Sequence, residues 1–411
     1  MKNQIWKKPA LCAGLVLGAL SFACQPMEEN PNLPDQAVEY LGYQNGDIIP
    51  GKYIVRLNPS HINFRKTRDY ASNEAAMRKI GIELLSKYRI AESNLGYAYG
   101  SSIEGFSAEL SDEEYTALIN DPAVQFIEPD RIMALAPPPG KGPGGGGSDG
   151  GGSSPTQETP YGITRVNGGT TYTGSGKAYV IDSGIDGSHP DLNVNVSAGF
   201  NAFDKGKDAD LSKDGSGHGT HVAGTIAAID NEFGVIGVAA GATVVPIKVL
   251  DSRGSGSYSG VIAGVDFVTG SANSGDVANM SLGGPASDAL DAAVIALANS
   301  GVKVALAAGN ESRNANNSSP ARANAPNIYT VSAVDSGDRF ASFSNFGNPP
   351  IDFAAPGVAI KSTIPGGGYA IYSGTSMASP HVAGILLTGN PRSGGSATGD
   401  PDGNPDSIAV K

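Results

Sequence analysis

From Gly51 onward, Tyr53, Val55 and Leu57 alternate with Ile54 and Arg56, the period-two signature of a strand. Across residues 71–88 the apolar positions move to helical spacing, carried by Ala75, Met77, Ile80 and Leu84. A second extended stretch covers 97–110. Ser111-Asp112-Glu113-Glu114 then has the form of a capping box opening a short helix, and 124–128 is a further strand. Strand-helix-strand followed by helix-strand predicts a small α/β sandwich over 47–136. A unit of roughly 85 residues buries enough surface to fold but is only marginally stable alone.

The pattern changes beyond residue 159. Short, nearly continuous apolar runs at 178–181, 244–250, 277–280 and 302–307 are separated by helical stretches, notably 261–271 and 289–300. Strands of a parallel sheet covered on both faces have this appearance. The expectation for 157–389 is a doubly wound α/β domain, mostly parallel with helices on both faces, whose ligands gather at the carboxyl ends of its strands. Between the two units, 137–156 is rich in Gly and Pro and includes Gly144-Gly145-Gly146-Gly147, so it reads as a protease-accessible linker. The last stretch, 390–411, is rich in Gly, Asp and Pro. It either packs in its own way or is mobile.

Composition narrows the class. Of 411 residues, 40% are hydrophobic and 17% charged, a globular balance. The net charge of −12 comes with no Lys/Arg block, which argues against nucleic acid as a partner. Lys2, Lys7 and Lys8 precede an apolar segment, 10–23, that is too short to span a bilayer comfortably. It ends in Leu20-Ser21-Phe22-Ala23-Cys24, which resembles a lipoprotein signal with Cys24 as the acylated residue; ordinary signal-peptidase cleavage is the other reading. Residues 1–24 are therefore expected to be a signal peptide, 25–46 a tether, and the protein exported, either secreted or anchored to the cell envelope. Cys12 would be discarded with the signal, leaving no disulfide, so bound calcium is the natural substitute restraint.

Three short motifs carry candidate chemistry. Asp182 ends an apolar strand in Val180-Ile181-Asp182-Ser183-Gly184, a position that by itself more often caps or turns. His218 begins a helix in Gly217-His218-Gly219-Thr220-His221, where small residues let the backbone approach closely. His221 lies three residues into the apolar helical pattern and is expected to pack inside; no further ligand at suitable spacing supports a metal-binding pair. Ser376 sits at a strand-to-helix junction in Gly374-Thr375-Ser376-Met377-Ala378-Ser379-Pro380-His381, where helix N–H groups favour developing negative charge. The order Asp, His, Ser separates this arrangement from the chymotrypsin and α/β-hydrolase orders, and so excludes an esterase of the latter type.

With these motifs, residues 159–388 resemble the catalytic domain of a subtilase. The local texture is nearest the proteinase K branch in Gly254-Ser255-Gly256-Ser257-Tyr258, Ser281-Leu282-Gly283-Gly284, Ala307-Ala308-Gly309-Asn310 and Ala341-Ser342-Phe343-Ser344-Asn345-Phe346-Gly347. Residues 50–132 resemble the subtilase inhibitor prodomain. The resemblance implies a serine endopeptidase with Ser376 as nucleophile, His218 as base, Asp182 orienting the imidazole and Asn310 donating to the oxyanion. It also implies an extended peptide substrate bound along Gly254 and Ser281, Leu282 and Gly283, with Gly309 leaving a roomy apolar pocket that favours apolar or aromatic residues. Arg322 lies near that pocket in sequence. The family's structural calcium site maps to the carbonyls of Pro326 and Ile328 and the carboxylate of Asp352, hard oxygens suited to that ion. Asp208, Asp210 and Asp214 offer a second acidic loop, and 400–406 a weaker one. The prodomain is expected to serve as an intramolecular inhibitor removed by self-cleavage between 134 and 154, leaving a monomeric enzyme. The competing reading is a catalytically silent binding protein on the same fold.

Overall fold

The computed structural model describes residues 43–135 and 156–411. The signal segment with Cys24, most of the tether and nearly all of the linker lie outside the described residues. Four antiparallel strands, β1 (Ile48–Leu57), β2 (Leu95–Tyr99), β3 (Gly105–Glu109) and β4 (Val124–Ala134), carry two helices, α1 (Tyr70–Lys87) and α2 (Asp112–Leu118). The capping box forms as the sequence predicts: Ser111 accepts the Glu114 N–H while Glu114 reaches back to the Ser111 N–H. The stretch 97–110 is not one strand but most of a hairpin, bent after Tyr99. The bend is made by Gly100, Ser101 and Ser102, whose N–H groups all donate to Asp266 of the larger unit at 3.2, 2.9 and 2.5 Å.

The larger unit opens with a short helix, α3 (Tyr161–Arg165), and is built on a ten-stranded sheet. Its central strands are β5 (Ala178–Asp182), β6 (Thr243–Lys248), β8 (Val277–Met280), β9 (Lys303–Ala307), β10 (Ile328–Val334) and β11 (Ile351–Pro356), in the spatial order β11-β10-β9-β8-β5-β6, all parallel. A short strand, β7 (Ser255–Ser257), lies outside this sheet and pairs antiparallel with β4. Helices α5 (Tyr258–Ser271) and α6 (Asp288–Asn299) cover one face through Val261, Val265, Leu290 and Val294. Helices α4 (His218–Ala227) and α7 (Thr375–Thr388) cover the other through Val222, Ile226, Val382 and Ile385. Alternate residues of β5 serve the two cores, Tyr179 and Ile181 on one side and Ala178 and Val180 on the other. That two-sided burial produces the unbroken apolar run.

The same alternation seats the prodomain. Val55 and Leu57 face its own helices, whereas Ile54, with Tyr99, Ile103 and Met133, joins the core around α5 and α6. Each such fully buried side chain contributes about 1.5–3 kcal/mol. Two prodomain carboxylates cap the helices beneath: Asp130 accepts from Ser259 N (3.0 Å) and Oγ, and Glu128 from Ser287 Oγ and Ala289 N. The C-terminal stretch packs in its own way, as a hairpin of β14 (Arg392–Ser396) and β15 (Ser407–Val410), with β15 beside β11. Buried Asp406 staples it, accepting from Ser332 Oγ and from Asn348 Nδ2 (2.8 Å). Strands β12 (Ile360–Ile364) and β13 (Gly368–Tyr372) form a separate hairpin over α4. Among the described residues no helix is long and apolar enough to cross a membrane.

Candidate active site

Parallel neighbours β5, β8 and β9 end side by side, and each end delivers one part of the site. Asp182 is the last residue of β5, Ser281 to Gly283 follow β8, and Ala308 to Asn310 follow β9. Helices α4 and α7 bring His218 and Ser376 to the same edge, both within the first turn. Gly219 makes the first approach possible, because a Cβ there would lie 2.1 Å from the Gly184 carbonyl.

His218 Nδ1 donates to both oxygens of fully buried Asp182, at 2.8 and 3.0 Å. Burial would depress the imidazole, but the charge and hydrogen bond of Asp182 outweigh it and hold His218 above its ordinary value. Asp214 anchors the start of α4. Its carboxylate accepts from Ser183 Oγ (2.9 Å), Gly217 N (2.8 Å) and both the N–H and hydroxyl of Thr220 (2.9 and 2.7 Å). His221 packs inside: Nε2 faces the Ile360 and Ala370 carbonyls at 3.1 and 3.2 Å, and its ring stacks on Tyr372. Desolvation, with His218 nearby, pushes it down to about 3, so it stays neutral.

Ser376 Oγ donates to the Ser281 carbonyl at 3.1 Å, and Ser281 Oγ donates in return to the Ser376 carbonyl at 2.8 Å. The serine is therefore held across the ends of β8 and α7. Asn310 Oδ1 accepts both the N–H and the hydroxyl of Thr375, at 2.8 and 2.9 Å. Among the described residues no hydrogen bond engages its amide nitrogen, which lies 3.6 Å from where a Cβ on Gly374 would stand. Thr375 is a supporting residue that the sequence contained inside a recognised motif without revealing its task. Gly309, at φ +105°, admits no side chain; a Cβ would meet Asn345 at 2.3 Å.

The prodomain fills the cleft beside these residues. Met133 and Ala134 pair antiparallel with Gly256 and Ser255, and Leu135 N donates to Gly254 O at 2.9 Å. Gly254 leaves room for the Leu135 side chain, which a Cβ would approach to 2.9 Å. Leu282, Gly283, Ala308, Gly309 and Ala321 line the adjoining pocket, with Glu311 the one ionisable lining residue among the described residues. Arg322 does not reach the pocket chemistry, being bound to Asp288 and Asp291 of α6 at 2.6 and 2.5 Å.

Candidate cation ligands divide differently. Ile328 opens β10 and Asp352 lies on neighbouring β11, where one carboxylate oxygen accepts Thr330 N at 2.9 Å. Partial desolvation, with Asp406 adding repulsion, pushes Asp352 up to about 6. The acidic loop does not converge. Asp208 is 3.4 Å from buried Lys248 Nζ, Asp210 accepts from Ser212, and Asp214 caps α4. Among the described residues no group of three or more acidic, His or Cys side chains could hold a metal.

Comparison with known proteins agrees with this architecture. Residues 178–388 match the subtilase family, and 52–136 match the peptidase inhibitor I9 family. Subtilisin E of Bacillus subtilis (strain 168) is 43% identical over 301 residues, covering 70% of this chain and 72% of that protein. Subtilisin-like protease 6 of Trichophyton verrucosum (strain HKI 0517) is 37% identical over 378 residues, covering 85% of each chain. A solved structure described as a cold adapted subtilisin-like serine proteinase superposes with a TM-score of 0.53 at 39% identity, covering 61% of this chain and 97% of that one. Fold, strand-end geometry and likeness together establish that the chain belongs to the subtilase family of serine endopeptidases and carries an I9-type inhibitor prodomain.

Proposed function

We propose that Ser376, His218 and Asp182 form the catalytic triad of a self-processing endopeptidase. The observation that carries this reading is the buried Asp182 carboxylate on His218 Nδ1, at the strand ends where Ser376 opens α7. Ser376 Oγ turns from the Ser281 carbonyl to give its proton to His218 Nε2 as it attacks the peptide carbonyl. His218 returns that proton to the leaving amine, and Asp182 holds the tautomer and stabilises the imidazolium. Water then releases the acyl group by the same steps. Casein hydrolysis lost in Ser376→Ala tests the assignment; a Ser376→Ala protein that matured and digested casein like the wild type would remove it, whereas a wild type that neither matured nor digested casein would leave a silent binding protein as the reading.

Asn310 Nδ2 and the Ser376 backbone N–H are the oxyanion donors in this scheme, with Thr375 fixing the amide. Asn310→Ala is expected to lower kcat by about 10²–10³ with little change in KM, the loss measured when subtilisin's own oxyanion donor is removed. Steady-state kinetics on a peptide anilide checks it; a loss confined to KM would make Asn310 a binding residue.

Substrates bind as an added strand along Gly254–Gly256 and Ser281–Gly283, in the manner of the prodomain tail. Such main-chain recognition gives broad specificity, and the apolar walls of the pocket favour apolar or aromatic residues. Leu135, which lines the same pocket as Ser376, supports maturation at the start of the span 134–154. Export follows from the N-terminal segment. Acylation at Cys24 would hold the prodomain at the membrane while cleavage frees a monomeric enzyme.

Calcium is proposed at Pro326, Ile328 and Asp352, as a structural ion outside the reaction. The donor chemistry fits: a carboxylate with no cationic partner among the described residues lies on the strand beside the one that the 326–328 segment enters. At free calcium 100-fold above its Kd, binding stabilises by ~2.7 kcal/mol, roughly 5–10 °C in Tm for a domain of this size. Chelation should remove that increment in the wild type and change nothing in Asp352→Ala; equal losses in both would place the ion elsewhere.

A further inference from the structure

The tail of β4 is tied along one edge to the enzyme and along the other to residues just ahead of β1. Gly46 N donates to Ile132 O (2.8 Å), Ile132 N to Asp47 O (2.9 Å), and Arg131 Nη1 to Gly46 O (2.8 Å). A turn closes this segment, with Asp47 N on Gln44 O and Gln44 N on Asp47 Oδ2. Gly46 lies at φ +89°, and a Cβ there would come within 2.4 Å of the Pro285 ring, so the turn seats against the cleft wall as only glycine permits.

This turn inserts the Asn45 side chain between the tail and the wall. Asn45 Oδ1 accepts Ala134 N at 3.1 Å, and Nδ2 donates to Gly283 O at 2.8 Å. Asn45 lines the same pocket as Leu282, Leu135 and Ser376. An extended peptide lying between two edges presents hydrogen-bonding groups to both. The tail meets Gly254–Ser257 directly, but at Ala134 it meets Gly283 through one amide that accepts from the tail and donates to the wall. A carboxylate cannot supply both functions.

We propose that Asn45 is an autoinhibitory latch. It fastens the prodomain tail to the second wall of the cleft and occupies the Gly283 carbonyl that a substrate strand would use. The inference rests on the prodomain acting as the intramolecular inhibitor. It extends the inhibitory element upstream of β1, into the end of the segment that tethers the chain.

The full chain provides the test. Wild type, Asn45→Ala, Asn45→Asp and the control Gln44→Ala are allowed to process, and the lag before hydrolysis of a peptide anilide is timed. Titration with a serine-directed inhibitor gives the final number of active sites. Loss of one partly exposed bridge should shorten the lag about 3–10-fold in both Asn45 variants at equal final active sites, with Gln44→Ala unchanged. In the Ser376→Ala background, hydrogen exchange at the Ala134 amide should quicken by a similar factor when Asn45 becomes Ala. That measurement needs no activity, so it separates failure of the latch from failure of the triad. Unchanged lag and unchanged Ala134 exchange overturn the proposal. Exchange quickened throughout β1–β4 also overturns it, because it assigns Asn45 a folding role.

Discussion

Ser376→Ala should yield an intact, folded zymogen with kcat reduced by about 10⁶, the scale found for the nucleophile of subtilisin itself. Everything except the nucleophile survives the change. Ser281 Oγ still holds the Ser376 carbonyl and Ser379, and Asn310 still rests on Thr375. Among the described residues the serine hydroxyl makes one hydrogen bond, to Ser281 O, so stability should change by about 1 kcal/mol or less. Once the prodomain has been removed by an added protease, residual turnover of about 10³–10⁴ over water would come from the oxyanion donors and substrate binding. Because processing uses the same chemistry, the variant should run after export as one band at the mass of the zymogen without its signal segment. Intact mass and casein assays report both quantities. Normal maturation with lost casein activity would mean that another protease cuts the linker.

Legibility in the sequence followed burial and close approach. The strands of the parallel sheet could be read because both their faces are covered, so no polar residue interrupts residues 178–181. Catalytic motifs stood out because backbone crowding demands small residues around them, as at Gly219 against Gly184. What stayed hidden depended on partners far along the chain. The bend that splits 97–110 is held by Asp266, and the N-termini of α5 and α6, capped locally by Ser257 and Ser287, gain further acceptors in Asp130 and Glu128 of the other unit. The C-terminal hairpin has no hydrophobic period; its place is decided by the free edge of β11 and by Asp406 reaching Ser332 and Asn348. Asn45 acts through a single side-chain amide, which leaves no pattern at all.

Asp182→Asn should lower kcat by about 10⁴ while leaving the nucleophile, oxyanion donors and cleft in place. The asparagine fits the same volume but can present its NH₂ to His218 Nδ1, forcing the proton onto Nε2, the nitrogen that must accept from Ser376. It also removes the charge that offsets the burial of His218. The direction in pH follows. In the wild type the raised imidazole must be neutral to act as base, so kcat/KM is lost as pH falls through a value above about 6.5. Without the carboxylate only desolvation remains, which lowers the imidazole, so the acid limb should move to lower pH even as the maximum collapses. A merely structural defect would reduce the number of titratable active sites and leave the limb where it was. A pH–rate profile normalised to active sites therefore separates loss of the tautomer from loss of the fold, and an unmoved limb would deny Asp182 its electrostatic role.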